Sequence, residues 1–176
     1  MCTPIGLGKS AANEYCALQP GVVKAYFFDQ ADMTDSTIGA NDVITAITAT
    51  AASFKEVNFD TDEAVLTGEL AEGFGTIFTH TLTFKNIGKS AEIASAIKTW
   101  TDCTCLGIAV VCENGLQYIL GYNLRDKSFQ PKRNGAGTNT TGTALDTDKT
   151  NSTMRTFIFN NVNNDLAITT ADLSAI

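Results

Sequence analysis

A chain of 176 residues, 44% of them hydrophobic, is long enough to bury one core, and it carries a net charge of −7. Residues 1–80 hold eleven acidic and three basic side chains (−8), whereas residues 81–176 hold eight acidic and nine basic (+1). Such an acidic chain repels a phosphate backbone, which argues against a DNA-binding domain. The sequence has neither the apolar core of a signal peptide nor a run long enough for a membrane helix. We therefore expect a cytoplasmic product with no membrane partner.

The first strand follows an irregular start. Residues 1–20 are small and polar and are expected to form an arm, so the predicted single domain is 21–176. The β-branched and aromatic side chains of 21–29 predict a strand. The aspartate-containing stretch 29–41 is expected to be a loop, and 43–50 is compatible with either a short helix or a strand.

Alternation assigns inner and outer faces in the next block. Along 54–59, only the face of Lys55, Val57 and Phe59 is apolar enough to bury. Along 76–84, the even-numbered residues are expected to pack inward and the threonines between them to look outward, as in a half-buried antiparallel strand. Ser90 is a predicted N-cap of a short helix with an apolar stripe at i, i+4 and i+7. The predicted core therefore joins strand and helix and consists of Phe78, His80, Leu82, Phe84, Ile93, Ile97 and Trp100.

The last third of the chain begins with a hairpin. Apolar strands at 106–111 and 116–122 flank Asn114-Gly115, which predicts a type I′ turn because that turn needs positive φ at both central residues. Residues 125–153 are polar and rich in Gly and Thr, and they include a small basic cluster. They cannot bury themselves and are too long for an ordinary connection, so they are either disordered or ordered by a neighbouring chain. Strand character returns at 154–162.

No catalytic motif is present, so we expect no enzyme, no cofactor and no metal site. The single histidine, His80, lies on the predicted core face, and the five cysteines are expected to be free thiols. Cys103-x-Cys105 is not a zinc-knuckle spacing. The acidic residues Asp60, Asp62 and Glu63 are expected to form a solvated turn. The alternative is a weak calcium site.

Element order carries a resemblance to a known family. An acidic strand end (69–72) precedes a strand of the form x-F-x-h-x-L-x-F (77–84), a polar turn and a short helix (90–102). An apolar strand (107–112), the Asn-Gly turn and an aromatic strand (117–121) follow. Over roughly residues 50–124 this resembles the tail tube proteins of tailed phages, in particular those of Bacteroidetes phages and prophages. The resemblance implies a mainly β fold with one short α-helix, an antiparallel β-sandwich or β-barrel with extended loops or arms.

The resemblance also implies a function and partners. Subunits would be assembled in the host cytoplasm into hexameric rings, which stack into a virion tail through which genomic DNA passes without specific binding. Other tail proteins would be further partners, and 125–153 would be ordered by neighbouring subunits. An acidic lining would keep the DNA from sticking, and simple solubility is the alternative. The candidate lumen residues are Glu56, Glu63, Glu69 and Glu72.

Three other functions stay open. The chain could be a different tail or head–tail assembly protein, such as a tail terminator or connector. It could be a β-sandwich binding module, or a small enzyme with an unrecognised site.

Overall fold

The computed structural model describes residues 21–51, 53–59, 64–70, 77–87, 99, 103–131, 140–141 and 152–176. Several predictions fall outside the described residues. These are the arm 1–20, the calcium candidates at 60–63, the helix stripe Ile93, Ile97 and Trp100, the lumen candidates Glu63 and Glu72, and most of 125–153.

Most of the described residues lie in β-strands. The strands are β1 (Val22–Asp29), β2 (Met33–Ile38), β3 (Ile44–Ala49), β4 (Lys55–Asn58), β5 (Ala64–Leu70), β6 (Phe78–Ile87), β7 (Leu106–Cys112), β8 (Gln117–Leu120), β9 (Tyr122–Asn123), β10 (Ser128–Phe129), β11 (Thr140–Thr141), β12 (Ser152–Val162) and β13 (Ala167–Thr169). Short 3-10 turns lie at Gln30–Asp32, Ala40–Asp42 and Leu173–Ala175.

Two sheets form a sandwich-like pair. Sheet A has the order β2-β3-β13-β8-β7-β1-β4, sheet B has the order β11-β12-β6-β5, and β9–β10 is a separate ribbon. The pairs are antiparallel except for β13 with β3. The predicted mainly β, antiparallel class is confirmed, and no closed barrel forms among the described strands.

The main core lies between the two sheets. From β6, Leu82 and Phe84 are buried and Phe78 is half-buried. Phe84 packs edge-on against Phe27 of β1 at a centroid distance of 6.1 Å. Phe59 and Phe157 also pack on Phe84, at centroid distances of 5.0 and 5.8 Å. Buried residues of β7 and β8 belong to the same core. The predicted inner face of β6 is therefore covered by sheet A, and its contact with the helix stripe lies outside the described residues.

A second core lies on the opposite face of sheet A. It contains Tyr26, Phe28, Ile44, Ile119 and Tyr122, among others, and it is covered in part by Phe129 of the ribbon. Phe54 belongs to it, is 7% exposed, and stacks on Phe28 at 4.0 Å between centroids. The prediction that only the Lys55, Val57, Phe59 face buries is therefore wrong, because sheet A is buried on both faces.

Two further local predictions need correction. Residues 29–41 are not a loop, because a 3-10 turn and β2 follow β1, and 43–50 is the strand β3 that pairs with β2. The hairpin at Asn114-Gly115 exists, but the type I′ turn is wrong. Gly115 has φ +79° and is the one turn residue with positive φ, while Cys112 N donates to Leu116 O at 2.8 Å. The hairpin therefore has a three-residue loop, and its last residue, Gly115, adopts the left-handed conformation.

The start of the polar segment is fixed by its own chain. Ser128–Phe129 pairs with Tyr122–Asn123, and Lys127 Nζ donates to Ser36 O at 2.6 Å and to Asp35 Oδ1 at 3.3 Å. Residues 125–131 therefore bridge the ribbon to β2 without help from another subunit. Ordering of the remainder of 125–153 by neighbouring subunits stays a prediction.

Candidate assembly surface

The outer face of sheet B is lined with threonines. Alternation along β5, β6 and β12 turns one set of side chains to the core and the other outward. In the outward set, Thr83 faces Thr156 across the strands with their hydroxyls 3.2 Å apart, and Glu69 lies opposite Thr79. We call this surface the threonine face; its described side chains are Val65, Thr67, Glu69, Thr79, Thr81, Thr83, Thr156 and Ile158. Glu69 is the one charge among them.

Strand β5 forms one edge of this sheet. It pairs with β6 on one side, and no described strand pairs with its other side. Two large apolar side chains on β5 are exposed, Val65 at 54% and Leu70 at 60%. An edge of seven residues with two exposed apolar side chains and one charge offers unpaired backbone groups to another chain.

The two edges of sheet A are better protected against pairing. Strand β4 carries Lys55 and Glu56 within four residues, and β2 carries Asp35 in an ion pair with Lys127. At the far edge of sheet B, β11 covers only Thr153 and Met154 of β12, so the rest of that strand has no described partner on its outer side. Charges and short length are the usual means by which an edge avoids pairing. Strand β5 and the uncovered part of β12 are therefore the described edges most open to a partner.

Glu56, predicted to line a lumen, is locally compensated. Its Oε2 accepts from Lys24 Nζ at 3.0 Å and from Tyr26 OH at 3.1 Å, and Oε1 accepts from Asn58 Nδ2 at 3.0 Å. The hydrogen bond with Lys24 lowers the pKa of the Glu56 carboxyl and raises the pKa of the Lys24 amine. Both groups stay charged at neutral pH, so the pair has no net charge and repels a distant phosphate weakly.

Glu69 is exposed and forms no ion pair within the described part of the chain. Strand β5 packs across the sandwich from β1, whose neighbour in sheet A is β4. The edges that carry Glu56 and Glu69 therefore lie on the same side of the molecule. A lumen position for these residues stays a prediction, as it does for Glu63 and Glu72.

His80 has a structural environment rather than a catalytic one. It is fully buried, and its ring bridges Gly121 N, 3.1 Å from Nδ1, and Asn164 O, 3.0 Å from Nε2. A backbone N–H can only donate, so Nδ1 accepts and the proton resides on Nε2. Burial lowers the pKa of His80, which keeps the ring neutral. The ring thus fastens β6 to the β8–β9 junction and to the loop after β12.

An asparagine network that the sequence analysis missed completes this junction. Asn164 Oδ1 accepts from Leu124 N at 2.9 Å and Asn164 Nδ2 donates to Tyr122 O at 3.1 Å. Asn123 Oδ1 accepts from Asn163 N at 2.8 Å. Short amides that satisfy nearby backbone groups are typical of tight loops. The run of asparagines at 160–164 was the available signal.

Among the residues that the structure describes, no group of three or more His, Cys, Asp or Glu side chains is placed to hold a metal ion. No described helix is long and apolar enough to cross a membrane. No protein-family model matches the chain, and no curated protein or solved structure matches it either. Function is therefore inferred from the surfaces of the sandwich.

Proposed function

We propose that this chain is a virion structural protein, a tail tube subunit whose copies form stacked hexameric rings that conduct a phage genome. The observation that carries the proposal is the open β5 edge, where Val65 and Leu70 are exposed beside unpaired backbone groups. The occupant we assign to this edge is a second copy of the chain. A self-assembling subunit needs such a surface, whereas a monomeric protein risks aggregation through it.

The threonine face supports the conduit role. Hydroxyl groups are neutral, and Glu69 adds negative charge without a described cation beside it. The described side chains of this face give phosphates no lysine or arginine that would displace counterions, so passing DNA gains no affinity from them. Since Lys24 compensates Glu56, Glu69 would supply the larger repulsion of the two described candidates.

The apolar edge is also large enough to matter energetically. Fully burying a leucine side chain contributes about 1.5–3 kcal/mol. Leu70 is 60% exposed, so covering it would contribute about 1–2 kcal/mol per interface. That corresponds to a change of about five- to thirtyfold in the association constant at each contact. In a closed ring every subunit makes this contact with its neighbour, so the stabilisation adds up over all the interfaces of the ring.

A matched pair of variants tests the proposal. Leu70→Lys places a charge at the β5 edge, and Ile168→Lys places the same charge at an exposed apolar position of β13, which has neighbours on both sides in sheet A. We expect the unmodified chain to form rings or tubes by light scattering and negative-stain imaging as its concentration rises. Leu70→Lys should shift this assembly to at least about tenfold higher concentration, whereas Ile168→Lys should leave it unchanged.

Two outcomes would contradict the proposal. One is a chain that stays strictly monomeric at high concentration. The other is equal impairment by both lysine variants, which would mean that the β5 edge has no special part in assembly.

A further inference from the structure

Two cysteines outside the assembly surface lie in contact. The Sγ atoms of Cys103 and Cys105 are 2.7 Å apart, and Cys105 Sγ lies 3.6 Å from Asp29 Oδ2. Cys103 is half-buried and Cys105 is exposed. A disulfide bond is about 2.05 Å long, so the two sulfurs need to approach by only about 0.7 Å to bond.

The backbone holds this pair in place from both sides. Cys103 N donates to Thr99 O at 3.0 Å, and Gln30 N donates to Cys105 O at 2.8 Å. The Gln30 side chain also donates to Leu106 O at 3.1 Å. The proximity of the sulfurs is therefore a consequence of how the segment enters β7.

A cavity gives small molecules access to the pair. It has a volume of about 210 Å³ and is lined by Cys103, Asp29, Ser53, Lys55 and Thr99, together with apolar side chains of β1 and β7. The Ser53 hydroxyl oxygen is buried and has no hydrogen-bond partner among the described residues. The lining thus offers a buried hydroxyl to a small polar thiol compound.

We propose that Cys103 and Cys105 form a reversible thiol–disulfide couple that reacts with low-molecular-weight disulfides such as oxidised glutathione. The Cys103 thiolate attacks one sulfur of the small disulfide, which releases one thiol and leaves a mixed disulfide on Cys103. The Cys105 thiolate then attacks the Cys103 sulfur and releases the second thiol. The protein dithiol loses two electrons and two protons, and the small disulfide gains them as two thiols.

Electrostatics gives the two sulfurs different roles. The hydrogen bond with Cys103, followed by burial and nearby charge, raises the pKa of the Cys105 thiol to about 11. Cys105 is therefore a poor first nucleophile at neutral pH. Once Cys103 is part of a mixed disulfide, that hydrogen bond is lost and so is the largest cause of the raised pKa. Cys105 then becomes the resolving thiol.

The resulting bond would be easily reduced. A bridge between residues two positions apart closes a very short loop, so it restricts the unfolded chain little and adds little stability. Exposed and strained disulfides are the labile ones. Oxidation would also remove the thiol donor that Cys105 presents to Asp29, at the wall of the cavity.

Paired thiol mapping tests the proposal on the full chain. A Cys2→Ser/Cys16→Ser background leaves Cys103, Cys105 and the buried Cys112 as the thiols. The chain is equilibrated with mixtures of reduced and oxidised glutathione, alkylated, and digested with trypsin. Peptide 99–125 then contains all three cysteines. We expect the free thiols of Cys103 and Cys105 to disappear together, with a decrease in peptide mass of two hydrogens, and to reappear together on reduction. Cys112 should react with the alkylating reagent only after unfolding.

A single variant tests the roles. In Cys105→Ser, glutathione should remain attached to Cys103 and leave at least about tenfold more slowly than from the background chain, because the resolving thiol is missing. Independent alkylation of the two thiols at every glutathione ratio would overturn the proposal. So would equal release of glutathione with and without Cys105. These readouts do not depend on the assembly state of the chain.

Discussion

The ring of His80 makes two hydrogen bonds in a fully buried position, and its removal should be costly. His80→Leu keeps a similar volume but leaves the Gly121 N–H and the Asn164 carbonyl without their described partner. Each orphaned buried backbone group costs about 1–3 kcal/mol, so the free energy of unfolding should fall by about 2–6 kcal/mol. His80→Gln can restore one of the two bonds and should lose less.

The same residue predicts a pH dependence with a definite sign. Burial lowers the folded-state pKa of His80 below its ordinary value near 6.5, so the unfolded chain binds the proton more readily. Stability is therefore fully present above about pH 6.5 and is lost as the pH falls toward the folded pKa. One proton limits the slope to about 1.4 kcal/mol per pH unit.

The pH dependence of stability near pH 6 can be assigned to His80 because the chain has one histidine. Hydrogen bonds lower the pKa of the carboxyls of Asp35, Glu56 and Asp172, so their contributions are lost only at pH values below about 5. Urea unfolding at about pH 7.5, 6.5 and 5.5 should show a declining free energy for the unmodified chain and a flat one for both variants. A flat profile for the unmodified chain, or a His80→Leu variant of undiminished stability, would refute the reasoning.

Four further outcomes follow from packing, backbone conformation and charge. In Gly107→Ala the new methyl group would collide with the Phe28 ring, so urea unfolding should show a loss of about 1–3 kcal/mol. Gly115→Ala, which meets open space at φ +79°, should lose only about 1–2 kcal/mol from backbone strain. Trp100→Ala should cost about 3–5 kcal/mol if that side chain is buried, and red-shifted native emission would contradict the burial. Assembled tubes should retain DNA in a salt-dependent way, with the fold intact, when lysine replaces Glu56, Glu63, Glu69 and Glu72.

Alternation predicted the strands that have one buried face. Residues of β6 and β12 follow a period of two because sheet B packs on sheet A from one side only. The same reasoning failed for β2, where the fully buried residues are Met33 and Ser36, three positions apart. Register shifts between Met33 and Asp35 and between Thr37 and Ile38 break the period, and Asp35 and the threonines are exposed. A polar, irregular edge strand therefore looks like a loop in the sequence.

The surface chemistry was harder to predict than the strands. The ion pair of Lys24 with Glu56 joins residues 32 positions apart, and it follows from the register that sets Lys24 opposite Asn58. Without that register, Glu56 could only be predicted as an uncompensated charge. Phe54 was assigned to the wrong side for a related reason. A pattern that assigns alternate residues to one buried and one exposed face cannot describe a strand whose sheet is buried on both faces.

Burial of sheet A on both faces limits where a partner can bind. Its central strands contact sheet B on one side and the second core on the other, so neither face of its centre is available to another protein. Sheet B has one face to the core and the threonine face outward, and its β5 edge adjoins that face. The β4 edge lies on the same side of the sandwich, but the Lys24–Glu56 pair and Lys55 protect it from strand pairing. A second copy that pairs at β5 would therefore continue sheet B rather than sheet A. A head-to-tail contact between β5 and the uncovered part of β12 in the next copy, repeated around a ring, would join the threonine faces of successive subunits into one continuous wall.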